Sequence, residues 1–175
     1  MTQALLRVRQ MPVDISKLCE GDGMKGKWKL EFSTEERYKL LPVTTDIYNY
    51  IYDGNGGGRM DNIIRFYKSA IVKSVRAVTK YTMDRRGRLV FDFERIESDL
   101  FGFKIPLPRF GQDTAFVEMQ YFDGDLWIEA FEAPLESNKD EMGSVINIYR
   151  RVGDVTEEDK TSIPERKGGI GQAQR

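Results

Sequence analysis

From Gly26 onward, apolar and polar residues alternate. In "GKWKLEFS", Trp28, Leu30 and Phe32 alternate with Lys27, Lys29, Glu31 and Ser33. This period of two predicts a strand with one face buried and one face in water. "STEERYKLL" suits a single helical turn with Ser33 or Thr34 as N-cap, stopped by Pro42. "TDIYNYIYDGNGGGRMDNIIRFY" reads as a hairpin that turns between Asp53 and Gly58. Ile47, Asn49 and Ile51 share one face of its first strand, and Tyr48, Tyr50 and Tyr52 share the other. Met60, Asn62, Ile64 and Phe66 share one face of the return strand.

The same period continues. "IVKSVRAVTKYTMD" is a strand, "DRRGR" a turn, and "LVFDFERIES" the return, where Leu89, Phe91 and Phe93 alternate with Val90, Asp92 and Glu94. "FGFKIPLPRFG" has no strand discipline and reads as an irregular loop, with Pro106 and Pro108 blunting any edge. "TAFVEMQYFDGDLWIEAFEA" is a second hairpin turning at Asp123-Gly124, and "GSVINIYRR" is the last strand.

About eight or nine strands therefore follow one another through short links, with no interleaved helical period of the kind a parallel α/β fold needs. A long antiparallel meander removes its exposed edges by closing. The expected fold is all-β with minor helix: an antiparallel, lipocalin-like barrel of about 8–9 strands, whose interior side chains fill or one small apolar ligand occupies. The expected organisation is a short helix and loop over 1–25, the barrel over 26–151, and a polar tail over 152–175, disordered or bound to a partner.

Composition narrows function more than fold. A length of 175 residues suits one domain. The formal charge of −1 favours neither nucleic acid nor an anionic membrane by bulk attraction. No apolar run approaches the roughly 20 residues of a membrane-spanning helix. Cys19 is the single cysteine, so no internal disulfide forms, and a buried, inert thiol is expected. Histidine is absent, which excludes Ser-His-Asp and Cys-His chemistry and the commonest metal ligand. "MTQALLRVRQMP" lacks a signal-peptide core; it is free of acidic residues up to Asp14, as a trimmed transit segment or a recombinant or mature start would be.

Each candidate motif has a plainer reading. "DGNGGGR" has the glycines of a phosphate loop, but a strand-like segment rather than a helix follows, so a turn is expected. Asp84, Asp92 and Glu94, and Asp123 with Asp125, are candidate acid/base or metal carboxylates; the arginines Arg85, Arg86, Arg88 and Arg95 beside the first group favour turns and solvated faces. The tyrosine stripe lines either a cavity or an outer contact surface. Phe101, Phe103, Ile105, Leu107 and Phe110 put more apolar bulk in one loop than a surface usually shows. They serve as a lid, as a membrane or protein contact, or as a plug for the core.

Three segments carry a resemblance. "GKWKLEFST" resembles the Gly-x-Trp-x-Leu-x-Tyr-Thr-Ser strand that opens the plastid lipid-associated proteins, or plastid fibrillins; Gly26, Trp28, Leu30 and Ser33 agree and Phe32 replaces the tyrosine. "RMDNIIRF" resembles that family's middle strand, with Asn62 in its asparagine position. "VEMQYFDGDLWIEAF" and "GSVINIYRR" resemble its C-terminal signature through Tyr121, Asp123, Asp125, Leu126, Ile128 and Gly143. Trp127 and Ala130 stand where the family has arginines, "FEAPLESNKDEM" is inserted before Gly143, and the helical segment before the first strand is nearly absent.

The resemblance, over about residues 25–151, implies a divergent member. Its implied fold is a lipocalin-like barrel. Its implied setting is the chloroplast or other plastid, peripheral to the thylakoid or plastoglobule, or the cyanobacterial equivalent. It implies a non-enzymatic protein that binds or organises a lipid, quinone or carotenoid, with no other cofactor, no metal and no nucleic acid. Trp28, Leu30, Phe32, Phe66, Phe91, Phe93, Tyr121 and Ile128 are the residues expected to line the barrel interior. The alternative is an accessory or assembly subunit docking on a photosystem or antenna complex without a ligand of its own. A chromophore lyase of the bilin-attaching type would share the fold, but no lyase motif is present.

Overall fold

The structure, a computed structural model, describes residues 23–35, 45–54, 56–67, 71–84, 86–108, 114–134 and 141–162. The helix expected within 1–25, Cys19, the turn around Pro42, Phe110 and the chain beyond Ser162 lie outside the described residues. The strands are β1 (Gly26–Ser33), β2 (Thr45–Ile51), β3 (Gly57–Phe66), β4 (Val72–Met83), β5 (Arg88–Leu100), β6 (Phe103–Leu107), β7 (Thr114–Phe122), β8 (Leu126–Pro134) and β9 (Met142–Gly153). A short 3₁₀ turn, Glu158–Lys160, is the helical element among the described residues.

All pairings are antiparallel, in the order β4-β3-β2-β1-β9-β8-β7-β5-β6, and β4 also pairs with β5. That pairing closes an eight-stranded barrel. β6 stands outside the ring and pairs with β5 alone among the described residues. The segment expected as an irregular loop is thus partly a strand. Pro106 is tolerated because β6 is an edge, where a missing N–H breaks no second ladder.

Period two decides what faces inward. One buried cluster takes side chains from every strand of the ring: Trp28, Ile51, Met60, Tyr81, Leu89 and Phe91, Val117 and Met119, Trp127 and Tyr149. These lie towards the end carrying the tight turns after β2, β4 and β7, here called the base. Trp28 Nε1 donates to the Met24 carbonyl at 2.9 Å. Trp28 also meets the Trp127 ring edge-on, with centroids 5.9 Å apart.

The turns are held by their own carboxylates. Asp84 Oδ1 accepts the Arg86 and Arg88 amides at 2.8 and 3.0 Å. Asp123 Oδ1 accepts the Asp125 and Leu126 amides at 2.9 and 2.7 Å. The "DGNGGGR" segment joins β2 to β3, and Asp53 Oδ2 accepts the Arg59 amide at 3.0 Å. Gly58 sits there at φ 138°, and a Cβ added to it would lie 2.4 Å from Asp53 Cβ. Gly58→Ala must strain the backbone and push Asp53 off the Arg59 amide. It is expected to lower stability by about 2–3 kcal/mol in urea unfolding, and an unchanged midpoint would contradict this.

Five register shifts interrupt the alternation: at Lys27/Trp28 and Leu30/Phe32 between β1 and β9, at Val72/Ser74 and Val78/Thr79 between β4 and β5, and at Met119/Tyr121 between β7 and β8. A bulge places two residues of one strand opposite one of its partner, so side chains beyond it change face relative to a strict count of two.

Candidate functional site

The inner wall differs between its two ends. At the base Trp28, Ile51, Leu89 and Trp127 are fully buried. Towards the other end, the mouth, the inward-facing Ile47, Ile64, Phe66, Val75, Phe93 and Ile96 are only half-buried. Register places them: Ile47 pairs with Ile64, Ile64 with Val75, and Phe93 with Thr79, which in turn pairs with Met60 of the core. The base is sealed by aromatic rings. The apolar wall at the mouth stays partly open to solvent.

A polar group interrupts this wall. Asn49 of β2 accepts from Asn62 of β3 at 2.6 Å. On the next two strands, β1 and β9, Ser33 Oγ donates to Asn147 Oδ1 at 2.7 Å. Asn147 Nδ2 and the Tyr149 hydroxyl donate to Glu129 Oε1 at 3.0 and 3.2 Å. Glu129 is buried at 4% exposure, and its Oε2 has no hydrogen-bond partner. The indole Nε1 of Trp127, two residues away on the same strand, is also buried without a partner. The Trp127 ring stacks on Tyr149 at 4.7 Å. Burial pushes the Glu129 carboxyl up to about 7, against the two hydrogen bonds, which favour the ionised form.

Of the residues expected inside, Trp28 and Phe91 belong to the core cluster and Leu30 packs against it. Phe66 and Phe93 lie on the inner wall near the mouth. Phe32, Tyr121 and Ile128 lie on the outer face, and the bulges explain the first two. Leu30 pairs with inward Tyr149, but beyond the bulge Phe32 pairs with Ile148, while Ser33 turns inward to Asn147. Met119 faces inward, but beyond its bulge it is Phe122 that meets Trp28, with centroids 5.5 Å apart. Tyr121 therefore points out, opposite Ile128, and its hydroxyl donates to Asp123 at 3.0 Å. Phe32, Ile148, Ile128 and Tyr121 thus form one row across the outside.

The tyrosine stripe is also outside, since Tyr50 pairs with Lys27 and Tyr48 with Lys29. It is buried because Val152 and Val155 pack on it. The polar tail begins as a strap across the outer faces of β1 to β4, which corrects the expectation of disorder for residues up to Ser162. Lys27 pairs with Asp159 at 2.8 Å. Arg76 donates to the Asp159 carbonyl at 2.8 Å and to the Ser162 carbonyl. Asp61, fully buried, accepts from Arg76 at 2.7 Å, Arg59 at 2.8 Å and the Tyr52 hydroxyl at 3.2 Å. Burial opposes ionisation of Asp159, yet Lys27 and the Thr156 donors hold its carboxyl below the usual range.

The remaining candidate carboxylates do local work. Asp92 accepts from the Thr114 hydroxyl, and Glu94 pairs with Lys80 at 2.8 Å. No group of three potential metal ligands is found among the described residues.

At the mouth, β4, β5 and β6 run on past the last residues paired to β7 and form a flap. Leu100, Ser98 and Ile96 pair with Phe103, Ile105 and Leu107, so the wall's inner face continues onto β6. There Phe103 is 74% exposed, Phe101 66%, Ile71 53% and Ile105 41%, while Leu107 is half-buried. The turn is made by Phe101 at φ 53° and Gly102 at φ 88°, with the Gly102 amide donating to Asp99 at 2.9 Å. Two residues at positive φ are the preference of Asn-Gly, not of an aromatic side chain. Lys73 and Lys104 are exposed on the flap.

Sequence reasoning missed Glu129, Asn147 and the strap. The signal for Glu129 was present: with Trp127 taken as inward, period two puts Glu129 on the same face. Among the described residues no helix is long and apolar enough to cross a membrane. No protein-family model matches the chain, and no curated protein or solved structure matches it closely enough to assign a family.

Proposed function

We infer that this chain is a non-enzymatic, lipocalin-like binding protein that takes an apolar ligand at a lipid surface and holds it in the mouth half of the barrel. The observation that carries the reading is the continuity of apolar surface. Half-buried Ile64, Phe66 and Phe93 on the inner wall lead to exposed Phe103 and Ile105 on the flap. Burial is worth about 25 cal/mol per Å² of apolar surface, so a prenyl or acyl chain needs no charged clamp. The resemblance to plastid lipid-associated proteins supports a lipid, quinone or carotenoid as cargo. It also supports a peripheral place on a thylakoid or plastoglobule of a plastid, or the cyanobacterial equivalent.

Phe101 is the sharpest support for docking. An aromatic residue at positive φ costs about 1 kcal/mol or more, so the position carries bulk at the expense of stability. Lys73 and Lys104 beside it suit anionic headgroups. Phe101→Asn is expected to raise stability by about 1 kcal/mol and to weaken flotation with vesicles of mixed zwitterionic and anionic lipid. Phe103→Ser should weaken flotation without the gain. Undiminished flotation of the double variant would overturn the docking reading.

A second reading, an accessory subunit on a photosystem or antenna complex, is favoured by the outer edge of β6, which has no partner strand among the described residues. Co-migration with such a complex on native gels, lost on Phe103→Ser and unaccompanied by vesicle binding, would select it.

A further inference from the structure

Glu129 Oε2 and Trp127 Nε1 are buried without partners on the inner face of one strand, about 7 Å apart at the backbone. Tyr149 links them: its ring stacks on Trp127 and its hydroxyl donates to Glu129 Oε1. Buried polar groups in folded proteins are nearly always satisfied. With Glu129 ionised, as above pH 7, an open donor stands beside an open acceptor, a pair that one further polar group can bridge. We propose that Trp127 and Glu129 form a polar subsite that recognises the head of an otherwise apolar ligand, a head bearing both an acceptor and a donor, such as a hydroxyl or a carboxamide. The inference rests on the binding-protein reading and specifies its ligand class.

The donor inventory decides between heads. An ammonium offers only donors, so it answers Glu129 and leaves the Trp127 N–H unpaired. A carboxylate offers only acceptors; it answers Trp127 but sets a second negative charge beside ionised Glu129. A hydroxyl or a carboxamide does both. Glu129 Oε1 is already committed to Asn147 and Tyr149, whose bonds fix the carboxyl plane and leave Oε2 as the open position. The apolar remainder of the ligand has the half-buried Ile64, Phe66 and Phe93 wall to lie against.

The test uses four probes sharing one alkyl chain: decanol, decanamide, decylamine and decanoate. Binding to the full chain is followed by calorimetry at pH 8, where Glu129 is ionised. Decanol and decanamide are expected to bind about tenfold tighter than the amine or the carboxylate, the worth of one satisfied buried hydrogen bond. Glu129→Gln keeps its oxygen for Asn147 and Tyr149 and turns a donating amide to the open position, so it should remove the preference for a head that donates. Glu129→Leu and Trp127→Phe should each erase the order, and either variant suffices if the other fails to fold. Equal binding of all four probes, or an order unchanged by both apolar variants, would overturn the subsite while leaving the binding barrel standing. Failure of every probe to bind would overturn both.

Discussion

Asp61→Ala is expected to cost about 3–5 kcal/mol, the largest loss from any single polar substitution described here. Asp61 is fully buried on the outer face of β3, between Arg76 and Arg59 and beneath the strap. Truncating it leaves the Arg76 guanidinium, 6% exposed, bonded to carbonyls and without the carboxylate it pairs with. Urea unfolding measures the loss, and early proteolytic cleavage within 154–162 should accompany it. The pair is not intrinsically so valuable. Asp61→Leu combined with Arg76→Met removes both deeply buried charges and is expected to recover most of the stability, because the one ion that loses its partner, Arg59, is 24% exposed and can reach water. A double variant as unstable as Asp61→Ala would show that shape, not charge, holds this face.

The second large effect is a stability that falls as pH rises. Glu129 has a folded-state pKa raised from 4.5 to about 7. The folded chain therefore holds this proton more tightly than the unfolded chain. Between those two values the unfolded state carries fewer protons, so stability declines with rising pH. The decline amounts to about 3 kcal/mol once pH exceeds 7. Asp46, Asp123 and Asp159 act in the opposite sense: burial opposes their ionisation, but hydrogen bonds to all three, joined by lysines at Asp46 and Asp159, hold them below their usual range. Their contribution is lost only as pH falls below about 4, so the two windows do not overlap. Glu129→Gln mimics the neutral form. It should flatten the decline and make the protein more stable than its parent at pH 8, read from urea melts at pH 5 and 8. Parallel profiles for the two proteins would show that Glu129 is ionised and satisfied in the fold.

Strand order and closure were legible because local signals agreed with the global fold. The period of two runs through every described stave, and the Asp-rich turns carry their own capping carboxylates. The inward set was legible only up to the bulges. Glu31 and Gln120, the residues inserted at two of them, are polar residues that fit the alternation, so nothing in composition marks where the count slips. Phe32 and Tyr121 were misplaced for that reason. The strap was illegible for another. "GDVTEEDKTS" has no aromatic residue and little apolar surface, and Asp159 and Ser162 are held by Lys27 and Arg76, more than 80 positions away in sequence. Local composition cannot report partners supplied by distant strands. Phe101 was illegible as well: with "FGFKIPLPRFG" read as an irregular loop, nothing marked Phe101-Gly102 as the turn of a hairpin.

The decisive experiment on ligand binding is mass spectrometry of an organic extract of the protein isolated from its own cells. A barrel with an apolar ligand should yield about one lipophilic molecule per chain. That molecule should be enriched far above its share of the surrounding membrane, with a hydroxyl or carboxamide at one end. An extract holding only bulk membrane lipids, in the membrane's own proportions, would contradict ligand binding.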